Sequence, residues 1–414
     1  SSPPWWTRLA RVPGPLHIEP PAVEGRTRSC AMAHRMILNQ TAWFGRGAVA
    51  NIPAELIGKG YAKALVVTDP TLARNGVARR VTDHLDAAGF AYTVFDDVSA
   101  NPTIENVQAG VAAFVAAGAD CLVGIGGGSP QDACKAIGII VANPEFADVR
   151  SLEGEAATKN PSVPMLAVAT TAGTASEVTI NYVLTDTAQQ RKFVCVDPHD
   201  IPLVAIIDPD LMDGMPHGLR VATGMDALTH AIEGYTTLDA WELTDVLQLK
   251  AIEIIAAALP AAARGDASAV EKMALGQYMA GMGFSNVGLG LVHAMAHPLS
   301  AFYGTPHGIA NGVLLPHVMA FNGGYTGSKL RDIAKAMGVP DTADLPLVQA
   351  RQAAVDAVAA LGHSLGVPSR LRDIQVVEAD LPALAAAAYA DICRAGNPRP
   401  VSESDILTLF RAIF

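Results

Sequence analysis

The chain has 414 residues, half of them hydrophobic, which is ample for a sizeable core and, at roughly 100 to 200 residues per domain, for about two domains. Its 29 Lys and Arg stand against 40 Asp and Glu, a formal charge of −11, so no broad basic face is available for a polyanion and nucleic acid is excluded as an expected partner. The five cysteines, Cys30, Cys121, Cys134, Cys195 and Cys393, are odd in number, widely spaced and mostly set in apolar runs. They form neither a disulfide framework nor a zinc spacing and read as reduced, buried small hydrophobes in a cytoplasmic protein.

In chain order, residues 1–32 come first. The stretch "SSPPWWTRLARVPGPLHIEPPAVEGRTRSC" holds six of the 27 prolines, has no apolar signal core, and is expected to be a disordered extension. An Arg-rich transit sequence, or a segment upstream of a start near Met32, is the alternative. From 33 to 210 short β-branched runs alternate with helical stretches. "KALVVTD" precedes a helical pattern reaching Gly89, then come "AYTVFDDV", the helical "VQAGVAAFVAAGADC" and "LVGIGGGS". That alternation predicts parallel βαβ units. "MLAVATT" and "PLVAIID" read as further buried strands, and "NYVLTD" and "KFVCV", divided by "TAQQR", as a hairpin. From 211 to 414 the texture is Ala, Leu, Met and Ile at helical spacing, with "SESD" at 402–405 a capping box for the last helix. No apolar run reaches the roughly 18 to 20 residues of a membrane span, so no membrane partner is expected.

The glycine cluster "GIGGGSPQDACKAIG" at 124–138 follows a strand and opens a helix. Glycines there let backbone N–H groups approach a phosphate, and the helix N-terminus favours negative charge. A tight strand-to-helix turn is the plainer reading, and the glycine spacing departs from the GxGxxG dinucleotide fingerprint. Two other loops at strand ends add weight. Asp69 ends the first strong strand, where a carboxylate can accept from a ribose diol and repel a 2′-phosphate, favouring NAD(H) over NADP(H); as a helix N-cap in "TDPTL" it has an equally ordinary role. "TTAGTASE" at 170–177 is a further loop of small hydroxyl residues.

"GMDALTHAIEGY" places Asp226 and His230 four residues apart, and "LVHAMAHPLSAFYGTPHG" repeats that spacing with His293 and His297 before His307, across a break that turns the chain. At i, i+4 both side chains project from one helix face, the spacing of a chelate. In apolar helices each lone imidazole needs a polar partner, and a shared divalent ion serves several at once. A carboxylate with imidazoles and no thiolate suits Fe²⁺, Zn²⁺, Mn²⁺, Co²⁺ or Ni²⁺, and four protein ligands also fit a closed structural zinc site.

These motifs, "GGGSPQDACKAIG", "TTAGTASEVT", "GMDALTHAIEGY" and "GLVHAMAHPLSAFYGTPHG", together resemble the iron-containing (group III) alcohol dehydrogenases from about residue 33 to the end. The resemblance implies an α/β, Rossmann-like parallel-sheet domain binding NAD(H), followed by an all-α metal-binding domain, the dehydroquinate synthase-like architecture. It carries metal ligation by Fe²⁺, with Zn²⁺ possible, onto Asp226, His230, His293 and His307, and a place near substrate and nicotinamide onto His297. Gly127, Gly128 and Ser129 match its pyrophosphate loop, Thr170, Thr171 and Thr174 its second loop, and Asp69 its ribose contact. Asn101, Asn181, Lys192 and Pro209 match cofactor-side positions, while Phe284 and Cys393 are implied to line a narrow substrate pocket. The likeness implies a homodimer with "RMILNQTAWFG" as an edge strand at its interface, and interconversion of a short aldehyde and its alcohol, L-lactaldehyde and L-1,2-propanediol foremost. A general short-chain alcohol dehydrogenase is the near alternative. A phosphorylated-polyol enzyme should need a basic cluster, for which only Lys250 and Arg220 offer themselves, and a non-catalytic nucleotide-binding protein should have lost a ligand.

Overall fold

The computed structural model describes residues 33–189 and 191–414; the expected disordered extension, residues 1–32, lies outside the described residues. Strand and helix alternate in the first half: β1 (Thr41–Phe44), α1 (Ile52–Gly58), β2 (Lys63–Val67), α2 (Pro70–Arg74), α3 (Val77–Ala87), β3 (Ala91–Phe95), α4 (Ile104–Ala117), β4 (Cys121–Gly126), α5 (Gly128–Ala142), β5 (Gly154–Glu155), β6 (Met165–Ala169), β7 (Asn181–Asp186), β8 (Arg191–Val196) and β9 (Val204–Ile207). Six of these strands make one parallel sheet in the order β1-β9-β6-β4-β2-β3. A parallel sheet is covered on both faces, so its strands are nearly all apolar and successive side chains feed opposite cores. Leu65, Val67 and Leu122 enter the core under α4 and α5, while Ala64, Val66, Val123 and Ile125 enter the one beneath α1 and α3. The expected hairpin is present: β7 and β8 pair antiparallel, Asn181 opposite Val196, and β5 joins them in a three-stranded sheet.

The second half is helical throughout its described residues: α6 (His217–Thr236), α7 (Glu242–Ala263), α8 (Ala267–Val287), α9 (Leu291–Tyr303), α10 (His307–Asn322), α11 (Lys329–Ala336), α12 (Leu347–Ser364), α13 (Leu381–Ala390) and α14 (Glu403–Ile413). Ser402 and Asp405 form the expected capping box of α14. The expected boundary near residue 210 falls in a short 3-10 turn, Pro209–Leu211. Residues 37–414 nevertheless form one compact unit, because β9 serves both halves: Val204 and Ile206 face the sheet's own core and Ala205 and Ile207 the helical one.

One expectation is corrected. α7 is long and apolar enough by length and composition to cross a membrane, contrary to the expected absence of such a run. It packs instead on α6 and α8, burying Thr244 and Gln248 with Ala251, Ile252, Ile255 and Leu259, as a core helix does. The expected break before His307 is present: α9 runs through Pro298 to Tyr303 and stops at Gly304, whose φ of 66° is the left-handed conformation that ends helices, and α10 opens at His307. A proline one residue after His297 forfeits one helical hydrogen bond without ending the helix.

Candidate active site

α6, α9 and α10 meet with their histidines facing inward. Asp226 Oδ1 lies 3.8 Å from His230 Nε2, 3.7 Å from His293 Nε2 and 3.7 Å from His307 Nε2. Bonds of about 2.0–2.1 Å to a tetrahedral ion would set donors roughly 3.4 Å apart. Asp226, His293 and His307 offer donor atoms all within 4.8 Å of one another and so could hold a divalent metal, while His230, close to Asp226, falls outside that set and would have to shift to join it as a fourth ligand. The helices come this close because α10 opens with His307 and then Gly308, where a Cβ would collide with the Ala222 carbonyl oxygen and sit 3.1 Å from Asp226 Cβ. Backbone packs on backbone, and that contact seats His307 beside Asp226.

The far ring nitrogens fix the orientation of the near ones. Glu233 Oε2 accepts from His293 Nδ1 at 2.6 Å, and the Gly173 carbonyl accepts from His230 Nδ1 at 3.3 Å, which turns Nε2 of each ring toward Asp226. Asn311, one turn after His307, donates to Asp226 Oδ1 at 2.7 Å and has its amide nitrogen 3.3 Å from both His293 Nε2 and His307 Nε2. Burial opposes ionisation of Asp226, yet His230, His307 and His293 hold its carboxyl below the usual range. Burial pushes His230 down to about 4 and His307 well below an ordinary imidazole. Burial works against protonation of His293 too, but Asp226 and Glu233 raise it to about 9. Phe284 lies flat on His230, ring centroids 4.2 Å apart at 12°, and so keeps that face dry.

His297, the fifth expected residue, is held apart from the ligand set. Its Nδ1 is 2.7 Å from Asp391 Oδ2, and its ring stacks on His307 at 5.2 Å. One cleft joins this region to the glycine loop: it is lined by Asp226, His230, His293, His307, His297, Phe284 and Cys393 at one end and by Asn101, Gly128, Ser129, Thr174, Asn181 and Lys192 at the other. Among the described residues Lys192 is its one Lys or Arg; its amine donates to Asn101 Oδ1 at 2.8 Å and is pushed down to about 8 by burial, against the pull of Asp132 and Asp226.

At the loop end, α5 begins at Gly128 with no side-chain cap, so its first N–H groups are free to meet an anion. A Cβ at Gly127 would stand 2.9 Å from Thr171 Oγ1, and one at Gly128 would stand 3.0 Å from Thr174 Cγ2. The two expected loops are thus pressed together, and only glycine lets them form a shallow cradle that fits a pyrophosphate. Ser129 Oγ accepts from the backbone N–H of Asn101, which holds φ of 72°, a conformation asparagine tolerates better than most. The remaining expected residues lie outside the cleft lining: Gly127 and Thr171 sit behind it, Thr170 is buried, and Pro209 is buried at the start of its 3-10 turn. Asp69 ends β2 and caps α2, its Oδ1 accepting from the N–H groups of Thr71 and Leu72, with its second oxygen left for other partners.

Sequence reasoning passed over Glu233, Asn311, Asp391 and Asp132. The first stands inside the motif quoted for its neighbours and the second repeats the i, i+4 spacing from His307, so a charged or amide residue on an apolar helix was the available signal. Asp132 is pinned by Ser176 Oγ at 2.7 Å and the Val183 N–H at 2.9 Å, which ties the glycine-loop helix to the hairpin and not to a phosphate.

Family models agree with this arrangement over nearly the whole described chain: "Iron-containing alcohol dehydrogenase" matches residues 39–209, and "Fe-containing alcohol dehydrogenase family, C-terminal" matches 220–414. The lactaldehyde reductase of Escherichia coli strain K12 is 63% identical over 379 residues, 92% of this chain and 99% of that protein. A crystal structure of 1,3-propanediol oxidoreductase superposes with a TM-score of 0.89 at 40% identity, covering 92% of this chain and 100% of the other. Sulfoacetaldehyde reductase from Bifidobacterium kashiwanohense in complex with NAD⁺ does so at 0.81 and 27% identity, covering 92% and 99%. With both halves matched by the family models and a relative 63% identical over 92% of the chain, the chain belongs to the iron-containing alcohol dehydrogenase family.

Proposed function

We propose that the protein is an NAD(H)- and Fe²⁺-dependent oxidoreductase that reduces L-lactaldehyde to L-1,2-propanediol. The observation that carries this reading is the single cleft, with a four-donor metal set at one end and a glycine cradle at the other. Asp226, His230, His293 and His307 hold the ion; Gly128, Ser129 and Thr174 seat the pyrophosphate, with Gly127 and Thr171 packed behind them; Asp69 takes the adenosine ribose. Asn101 and Lys192 stand along the cofactor's path between them, and Thr170 and Pro209 shape the loops behind it. When bound, the ion supplies Lewis acidity at the substrate oxygen and the nicotinamide supplies or accepts hydride.

The chain's own side chains do the remainder. His297 offers Nε2 for a proton on its way to or from the substrate oxygen. Phe284, Leu289 and Cys393 narrow the cleft toward a small substrate and exclude water. Asn181 lines the same cleft, and its Oδ1 has no partner in the protein, so it supplies an acceptor suited to a second hydroxyl. A single lysine gives no cluster for a substrate phosphate, which favours an unphosphorylated aldehyde.

The test is NADH oxidation by protein stripped of metal and reloaded anaerobically with Fe²⁺ or Zn²⁺, using L-lactaldehyde, glycolaldehyde and propanal. Turnover restored by Fe²⁺, with kcat/KM for L-lactaldehyde above that for propanal, supports the reading. Equal use of all three favours a general short-chain alcohol dehydrogenase, and no turnover with any metal overturns the assignment. A cytoplasmic homodimer belongs to the same reading. The dimer is supported by the edge position of β1 with the part-exposed aromatics Trp43 and Phe44, and light scattering on purified protein tests it.

A further inference from the structure

Asp391 opens the 3-10 turn Ile392–Gly396, which joins α13 to the last segment of the chain and carries Cys393 to the cleft. Both its carboxylate oxygens are committed: Oδ2 to His297 Nδ1 at 2.7 Å, Oδ1 to the Cys393 backbone N–H at 2.8 Å. The pair is largely shielded, with side chains 9% and 12% exposed. A carboxylate only accepts, so the ring must present N–H on that edge, and in the neutral imidazole Nε2 then carries the lone pair. His297, Asp391 and Cys393 stand close enough to hold an ion themselves. Each oxygen of Asp391 already has a donor, however, so the cluster is satisfied without one.

We propose that Asp391 is the positioning residue for His297: it selects the tautomer that turns Nε2 to the cleft, and through the Cys393 amide it ties the ring's orientation to the segment narrowing the substrate end. The proposal rests on the reading that His297 handles a proton of the substrate. A neutral ring without this acceptor can reverse its tautomer or rotate, and either change removes the acceptor from the reacting oxygen.

The test uses iron-loaded wild type, Asp391→Ala, the nearly isosteric Asp391→Asn, His297→Ala and the double variant Asp391→Ala/His297→Ala. Both Asp391 variants should lower kcat at least about tenfold, within the roughly 10²- to 10⁴-fold that a positioned acid–base group contributes, with KM for NADH and metal content unchanged. In the His297→Ala background the Asp391 change should cost nothing further. Nitrogen NMR of the zinc-loaded wild type, with His297 assigned by its loss in His297→Ala, should place the proton on Nδ1, and in Asp391→Ala that preference should vanish. An equal fall in kcat with and without His297 overturns the proposal while leaving the function intact; so does an unchanged tautomer. His297→Ala at the wild-type rate removes the reading beneath it. Two ions per chain in wild type, falling to one in Asp391→Asn, would show a metal site in its place.

Discussion

Glu233→Gln is the most informative single change, because one carboxylate serves both the start of a helix and a metal ligand. Its oxygens accept from the Val292 N–H at 2.7 Å, the His293 N–H at 3.2 Å and His293 Nδ1 at 2.6 Å. Glutamine fills the same volume with a single acceptor oxygen. With its oxygen in place of Oε1 the NH₂ opposes both the His293 N–H and the ring N–H; with its oxygen in place of Oε2 it opposes the Val292 N–H. At least one charge-assisted bond is thus replaced by two opposed donors, and the acceptor left to the ring is neutral at best. Such a bond contributes about 1.5–3 kcal/mol. At about 1.4 kcal/mol per factor of ten, that corresponds to a metal affinity lower by roughly 10- to 100-fold, the range seen when outer partners of ligating histidines are removed. The assay is competitive titration of the metal-free protein with zinc against a chromophoric chelator, with circular dichroism to establish folding. A folded Glu233→Gln protein that binds zinc within twofold of wild type would refute the reasoning.

Three further outcomes follow from the same geometry. Gly308→Ala drives a methyl into the Ala222 carbonyl, so α6 and α10 must separate; about 1–3 kcal/mol of stability should be lost by thermal melting, together with most of the bound metal. Asp69→Ala removes the N-cap of α2, costing about 1 kcal/mol, and should also narrow the preference for NADH over NADPH in initial rates; an unchanged preference limits Asp69 to capping. Metal uptake should release close to one proton per chain between the low value of His230, about 4, and the raised value of His293, about 9. The sign is fixed by His293: the metal-free ring holds its proton below about 9 and must shed it to bind, so affinity should rise as pH rises toward that value. Release of no proton at neutral pH, measured in weak buffer, contradicts this.

The sheet was legible because a parallel strand buried on both faces leaves an unbroken apolar run: Leu65 to Val67 and Cys121 to Ile125 serve two cores at once. The histidine cluster was legible because one spacing recurs, Asp226 to His230 and His293 to His297, and both pairs reach the same cleft. Which histidine stands aside was not written in that spacing, since His297 is drawn off by Asp391, 94 residues along the chain. Glu233 and Asn311 were hidden for the same reason: the partner of each belongs to another helix. α7 shows the limit of composition, because a helix buried among helices and one built to cross lipid share the same apolar make-up until their neighbours are known.

The hydrogen bond from His230 to the Gly173 carbonyl joins a metal ligand to the backbone of the loop whose Thr171 and Thr174 press on the glycine cradle. Two occupancies therefore share one wall. Linkage requires that any change the ion makes in dinucleotide affinity be returned, factor for factor, by the dinucleotide to the ion. If metal seats this loop well, then a cell rich in dinucleotide retains the ion more firmly than one depleted of it, and loss of iron is governed in part by the nucleotide pool.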